Sequence, residues 1–429
     1  MTPHRTSLRR DPAGVLVALV AAILTGCGET PQAVPPAAPA PTSLATPAPE
    51  SPVSRRRPRG LWVLAEGSQR VLDQPERIPA LLETAQALGC TDLFVQVYRA
   101  GRAWFDSSVA DPSPYRSARE AAGVDPLTTL LDQAEAAGLR VHAWVNVLSL
   151  ARNADAPIVQ MLGPDVVLSD RRGRSLLTYP DYEIPQPDRS YYRMGTPGVY
   201  LDPAAPGVAE LLTVTFTELL QRYPRLAGLH LDYIRYPDVL PFVPGSRFGV
   251  GLDFGYGEAS RQRFRRETGL EAPLGDRIGP ANRWDDWRRE KLTALVEQIG
   301  TAARTVQPGA QLSAAVWTYA DRGYLALGQD WRGWLEADLI DFAVPMAYTL
   351  DDRLLRYQAE SFAGLPYGDR IWIGLGSWLF ATNPARAVAQ IALIRDAGAH
   401  AEALFSYDSI ESEPALRDAL IAAEQPVVE

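Results

Sequence analysis

"DPLTTLLDQAEAAGLRVHAWVN", residues 125–146, contains the architecture in miniature. Asp125 can cap a helix whose first residue, Pro126, needs no hydrogen-bonded N–H. Leucines and alanines follow at helical spacing until Gly138, a residue suited to the left-handed turn that ends a helix. "RVHAWV" (140–145) then reads as a strand. "NPARAVAQIALIRDAGAHAEALFSY" repeats the scheme with Asn383, Pro384 and Gly398. A helix that feeds a strand, twice and with the same punctuation, is the mark of βα repeats.

Outward from these units the chain yields eight strand candidates: 61–65, 92–97, 140–145, 228–232, 311–317, 341–348, 371–376 and 402–407. Helical stretches lie between them at 75–88, 125–138, 206–222, 284–306, 329–336, 352–361 and 384–398, and 413–423 closes the series. Eight such units in about 370 residues predict an α/β fold, a (β/α)8 barrel with long insertions after strands three and four. An open doubly wound sheet is the alternative. No strand followed by a glycine-rich turn and a helix supports it, and no nucleotide or other cofactor is expected.

The barrel is expected over residues 59–425, and what precedes it is of another kind. His4, Arg5, Arg9 and Arg10 stand before the apolar run "GVLVALVAAILTG", the layout of a secretory signal and too short for a confident membrane span. The run ends in Leu24-Thr25-Gly26-Cys27, which resembles the bacterial lipobox. That resemblance implies a lipoprotein signal over 1–26, lipidation of Cys27, membrane attachment through that lipid, and a cell-envelope location. Residues 27–58, rich in Pro and Ala, predict a disordered tether. Cys90 is the other of two cysteines, so the mature chain has no intrachain disulfide to form. A net charge of -9 lowers the expectation of a nucleic-acid partner.

Barrel strands open their C-terminal ends onto the active-site face, so polar residues there carry information. In "GLHLDYIRYP" (228–237), His230 and Asp232 share one strand face and the leucines take the other. The same alternation turns Trp62 and Glu66, Gln96 and Tyr98, and His142, Trp144 and Asn146 inward, with Met346 and Tyr348 later in the chain. Trp317, Asp321, Trp378 and Asp408 stand at or just beyond other strand ends, and Arg235 follows Asp232. Aromatic faces stack on sugar rings, amides bond hydroxyls, and two carboxylates divide glycosidic cleavage into acid and nucleophile or base. The set therefore points to carbohydrate. Asp232 is the expected nucleophile or base, with Glu66 or Asp321 as acid. Gln96, Tyr98, Asn146, His230, Arg235, Trp317, Tyr348, Trp378 and Asp408 are expected to bind substrate. His142, in mid-strand, reads as a core histidine. His142, His230, Asp232 and Glu66 could converge on a metal, but no ligand-spacing motif accompanies them, and no metal is expected.

"RGLWV", "DLFVQVYRAGRAWFDSS", "GLRVHAWVN", "YLDPAAPGV", "GLHLDYIRYP", "FGYGEASRQRFRRETG", "WDDWRREKLTALV" and "FAVPMAY", in this order over about residues 59–410, closely resemble bacterial glycosyl-hydrolase-like family 10. That family includes a divisome-localised peptidoglycan glycosyl hydrolase, itself a lipoprotein. The resemblance implies a (β/α)8 barrel acting on a glycan polymer such as peptidoglycan strands. Asp232 matches the acid that ends the family's fourth strand, Asn146 its "W-x-N" position, and Asp202 in "YLDP" a further position that can serve as a cap. Many members have two consecutive acids where this chain has Asp232-Tyr233, so the resemblance does not supply the second carboxylate. A glycan-binding lipoprotein that keeps the groove without catalysis is the competing expectation, and a metal-dependent envelope hydrolase a third.

Overall fold

The computed structural model describes residues 57–241, 252–274 and 279–424. The expected signal, Cys27 and the tether up to residue 56 lie outside the described residues. Eight parallel strands close on themselves: β1 (Arg59–Val63), β2 (Asp92–Arg99), β3 (Arg140–Asn146), β4 (Gly228–Asp232), β5 (Gln311–Trp317), β6 (Phe342–Met346), β7 (Trp372–Gly376) and β8 (Ala401–Phe405). β8 returns to β1 with Leu404 opposite Leu61, and β1 continues into β2 with Leu61 opposite Leu93. The ring is a (β/α)8 barrel, the expected fold.

Its helices begin and end as their punctuation dictates. Asp125 Oδ1 accepts from Thr128 N at 2.9 Å to start the helix Pro126–Ala136, and Gly138 at φ 71° ends it. Strand ends differ from expectation by one or two residues. β8 stops at Phe405 because Ser406 caps a helix, Tyr407–Glu411, through a reciprocal bond with Ser409.

Alternation along the strands creates two cores. Trp62, Phe94, Trp144, Phe342, Val344, Trp372, Ala401 and Ala403 fill the barrel interior. Leu61, Leu93, Val141, Leu229, Leu231 and Leu312 face out into the larger layer beneath the helices. Cys90 belongs to that outer layer, and burial pushes its thiol up to about 12, so it packs rather than reacts. At the N-terminal ends of the strands, Arg59 and Arg395 both bond Glu402, at 2.8 and 2.9 Å, and Glu424, at 2.7 and 2.8 Å. His142 lies low in the barrel, its Nε2 2.8 Å from Asp92 Oδ1.

The insertions after β3 and β4 both rise from the C-terminal end of the barrel. A short strand from each, Tyr192–Met194 and Val239–Pro241, pairs antiparallel with the other. Asp202, in the first insertion, accepts from Ser260 Oγ at 2.7 Å and from Ala204 N at 2.9 Å. It caps a turn and joins the two insertions, buried away from the mouth aromatics.

Candidate active site

β4 brings two polar side chains into the barrel at different heights. His230 is the lower one and is completely buried. Trp62 Nε1 donates to its Nε2 at 3.0 Å, Nδ1 lies 2.9 Å from Ser313 Oγ, and Phe94 stacks on the ring at 4.2 Å. An indole N–H can only donate, so Nε2 accepts and the proton resides on Nδ1. Burial first, then the neighbouring His142, hold His230 well below its ordinary value. The expected substrate contact from His230 is therefore corrected: it is a neutral, satisfied core residue that no ligand reaches.

Asp232 ends the strand one layer higher. Trp144 Nε1 donates to Oδ2 at 3.2 Å, while Oδ1 receives Tyr233 N at 2.6 Å and Arg235 Nη1 at 3.3 Å. All three neighbours donate, which complements an ionised carboxylate. Asn146 stands directly opposite Asp232 in the β3–β4 register. Gln96 Nε2 donates to Asn146 Oδ1 at 3.2 Å, and Gln96 Oε1 accepts from Ala65 N at 3.3 Å. Tyr348 meets Trp378 edge-on at 4.8 Å, and Phe405 lies within 6.1 Å of Trp144 and 5.6 Å of Trp378. Burial, then the Asp232 charge, pushes the Tyr348 phenol well above its ordinary value, so it faces the site as a neutral donor. Trp378 keeps 42% of its surface exposed, an aromatic platform at the rim.

Beside this group is a cleft of about 340 Å³ lined by Arg235, Asp238, Trp317, Met346, Tyr348 and Thr196, among others. Asp238 is a buried carboxylate that sequence reasoning missed. It lies six residues after Asp232 in the same segment, and Arg235 feels the charge of both. Gly195 packs on it so closely that a Cβ there would fall 1.7 Å from Asp238 Oδ2. Trp317 forms part of the wall, with the Arg322 guanidinium 4.6 Å over its ring.

The structure does not bring the other expected residues here. Tyr98 turns outward: a bulge between Gln96 and Tyr98 shifts the register, so Tyr98 pairs with Val145 and packs edge-on against Phe216 at 5.3 Å. β1 ends at Val63, alternation lapses, and Glu66 is gripped by Arg99 and Arg102 on its two oxygens. Asp321 is exposed in the first turn of the helix Ala320–Leu327. Asp408 is buried under the β1 loop, its Oδ1 accepting from Gln69 N at 2.8 Å and Ser68 Oγ at 3.4 Å and its Oδ2 from Leu64 N at 3.4 Å. It holds a loop. The four groups considered for a metal are likewise each engaged with different partners.

Four clefts follow one another across the mouth, each sharing wall residues with the next. The first includes Glu66, Trp104 and Arg102; the second Arg102, Arg99 and Thr196; the third Thr196 and Arg235; the fourth Tyr319 and Gln358, shared with the third, and Asp321. Taken together they describe a trough, with Asp238 on the wall of the third cleft.

Known proteins bear on this geometry at two levels. The chain is 25% identical over 372 residues to the glycosyl hydrolase DigH of Escherichia coli K12, covering 79% of this chain and 75% of that one. It is 21% identical to the glycosyl hydrolase YngK of Bacillus subtilis, covering 69% and 54%. In fold it is similar to the glycoside hydrolase domain of PgaB (BpsB) from Bordetella bronchiseptica, with TM-score 0.58 and 16% identity over 85% of this chain and 98% of that domain. The catalytic domain of β-amylase from Paenibacillus polymyxa shares the fold at TM-score 0.52 and 13% identity, over 86% and 99%. The model of the family described as glycosyl hydrolase-like 10 matches residues 57–361, and the chain belongs to that family.

Proposed function

We propose that this protein is a glycoside hydrolase that cuts a cell-envelope glycan polymer, peptidoglycan strands being the first candidate, lying in the trough across the barrel mouth. The observation that carries this reading is Asp232, a carboxylate at the C-terminal end of β4 held by three donors beside an aromatic wall. In this scheme Asp232 is the nucleophile or base at the anomeric carbon. Asp238 is the second carboxylate and delivers a proton to the departing glycosidic oxygen. Arg235 holds Asp232 in place through Oδ1. Asn146, oriented by Gln96, bonds a sugar hydroxyl, and Trp317, Tyr348 and Trp378 offer faces and edges to the rings. Family membership and the barrel support hydrolysis of glycans.

The same reading places the enzyme in the envelope, anchored by a lipid on Cys27 and held off the membrane by the Pro/Ala-rich segment. Its support is the sequence "LTGC" behind a charged and apolar leader.

The division of labour is tested with glycosides that differ in leaving group. Asp238→Asn should lose roughly 10²–10⁴-fold on a poor leaving group and far less on an activated aryl glycoside, which needs no protonation. Asp232→Asn should lose on both. Equal losses for Asp238→Asn on the two substrates would remove it as the acid. Wild-type binding to glycan with no new reducing ends after long incubation would favour the non-catalytic reading.

A further inference from the structure

The fourth cleft, of about 650 Å³, holds polar groups that neither the hydrolytic scheme nor the fold uses. One wall is the helix Asp352–Ala363, which follows β6. Leu355, Gln358, Ala359 and Phe362 recur at helical spacing and form its buried face, so a glutamine sits in an otherwise apolar stripe. Gln358 is 5% exposed, and its amide, Oε1 included, makes no hydrogen bond among the described residues. A buried amide without a partner is costly, and buried polar groups are nearly always paired. Gln329 is the contrast. It is fully buried, accepts from Trp317 N at 2.8 Å and donates to Ile234 O and Ala315 O at 3.4 and 3.3 Å.

The unpaired amide has company. Thr318 Oγ1 and Arg332 Nε, on the same cleft, are also buried without a hydrogen-bond partner among the described residues. Gln358 and Thr318 line the third cleft as well, with Arg235, Asp238 and Trp317, so they stand where the two clefts join. Tyr319, just past the end of β5, and Tyr357, from the helix, line the fourth cleft with 49% and 69% of their surface exposed. Aromatic rings open to water beside an unpaired amide and hydroxyl suit a sugar ring, which has apolar faces and a rim of hydroxyls that both donate and accept. Asp321 shares the wall with Arg322 and Arg332, so charges of both signs are present and no ionic ligand is selected.

We propose that the fourth cleft is a remote subsite for a neutral sugar unit, which makes binding depend on the length of the glycan. The proposal rests on the reading of the trough as a glycan site and adds a second point of hold beyond the position of cleavage. Tyr319 and Tyr357 take the faces of the ring, and Gln358 and Thr318 bond its hydroxyls. The chain then continues into the third cleft past the two groups that both clefts share.

The test separates binding from cleavage. Affinity of the Asp232→Asn protein is measured by calorimetry for a ladder of β-1,4-linked N-acetylglucosamine oligomers, from disaccharide to octasaccharide. Affinity should rise by about ten-fold at the length that first reaches the fourth cleft. Tyr357 is exposed and does not line the third cleft, so Tyr357→Ala should remove that rise and leave the shorter oligomers bound as before. Gln358→Leu should reduce the rise without lowering thermal stability, because it takes an unpartnered amide out of an apolar face. A ladder without the rise, binding of no oligomer, or an undiminished rise in both variants would overturn the subsite. Reducing-end release from envelope glycan strands by the wild-type protein is read in parallel. Cleavage with no length-dependent rise sinks the subsite alone, and a rise that Tyr357→Ala removes, without cleavage, sinks the hydrolase reading alone.

Discussion

Asp232 and His230 share a strand face, yet two residues of strand rise, about 7 Å, place one at the mouth and the other in the core. The core position of His230 has a consequence for stability. His230 is held well below its ordinary value by burial, so the unfolded chain takes up a proton near pH 6.5 that the folded chain refuses. Its contribution is intact above that pH and falls as pH drops, on the order of 1.4 kcal/mol per unit. The stability of wild type relative to His230→Asn should therefore decline between pH 6.5 and 5. Asp202 has the opposite sign. Burial raises it to about 6, against the Ser260 and Ala204 donors, so the folded state favours its proton and stability is lost as pH rises through about 4 to 6. Asp202→Asn should gain on wild type across that window by on the order of 3 kcal/mol. Urea titrations at stepped pH read both differences, and curves that stay parallel to wild type would contradict the assignments.

At the scale of elements, the loop after β1 depends on Asp408. Its carboxylate accepts from Gln69 N and Leu64 N, so Asp408→Ala should unpin residues 64–69 at a cost of about 1–3 kcal/mol. Hydrogen exchange should show protection lost at Gln69 with the barrel strands unchanged. Retained protection at Gln69 would mean that the loop is held by other contacts. This element also marks where sequence reading succeeds and fails. Strand and helix positions are legible because alternation, N-caps and stop glycines are local signals. Alternation places Gln96, Asn146 and Asp232 correctly because each lies inside a regular strand. It fails for Tyr98, beyond a bulge, and for Glu66 and Asp408, beyond strand ends where the two-residue period no longer applies. Asp238 was invisible for the same reason. It follows a turn that begins at Tyr233, φ 51°, and its place beside Arg235 is set by tertiary packing.

At the scale of the whole molecule, a closed barrel supplies a rigid ring and the two insertions supply walls, leaving a trough that passes across the mouth. Under the proposed function, a polymer in such a trough is cut within its length. Early digests should therefore contain a spread of fragment sizes, and release of single sugars from chain ends alone would contradict the trough as the binding path. Trp378→Ala, at the exposed rim, should raise KM several-fold more than it lowers kcat if its ring binds sugar away from the reacting bond, as proposed. The most direct test of the account is the release of new reducing ends from purified envelope glycan strands by wild type and Asp232→Asn, with glycan binding and thermal stability measured on the same preparations. The account predicts steady release by wild type and a loss of about 10³-fold or more in the variant, which still folds and binds. Equal release by both proteins would contradict it.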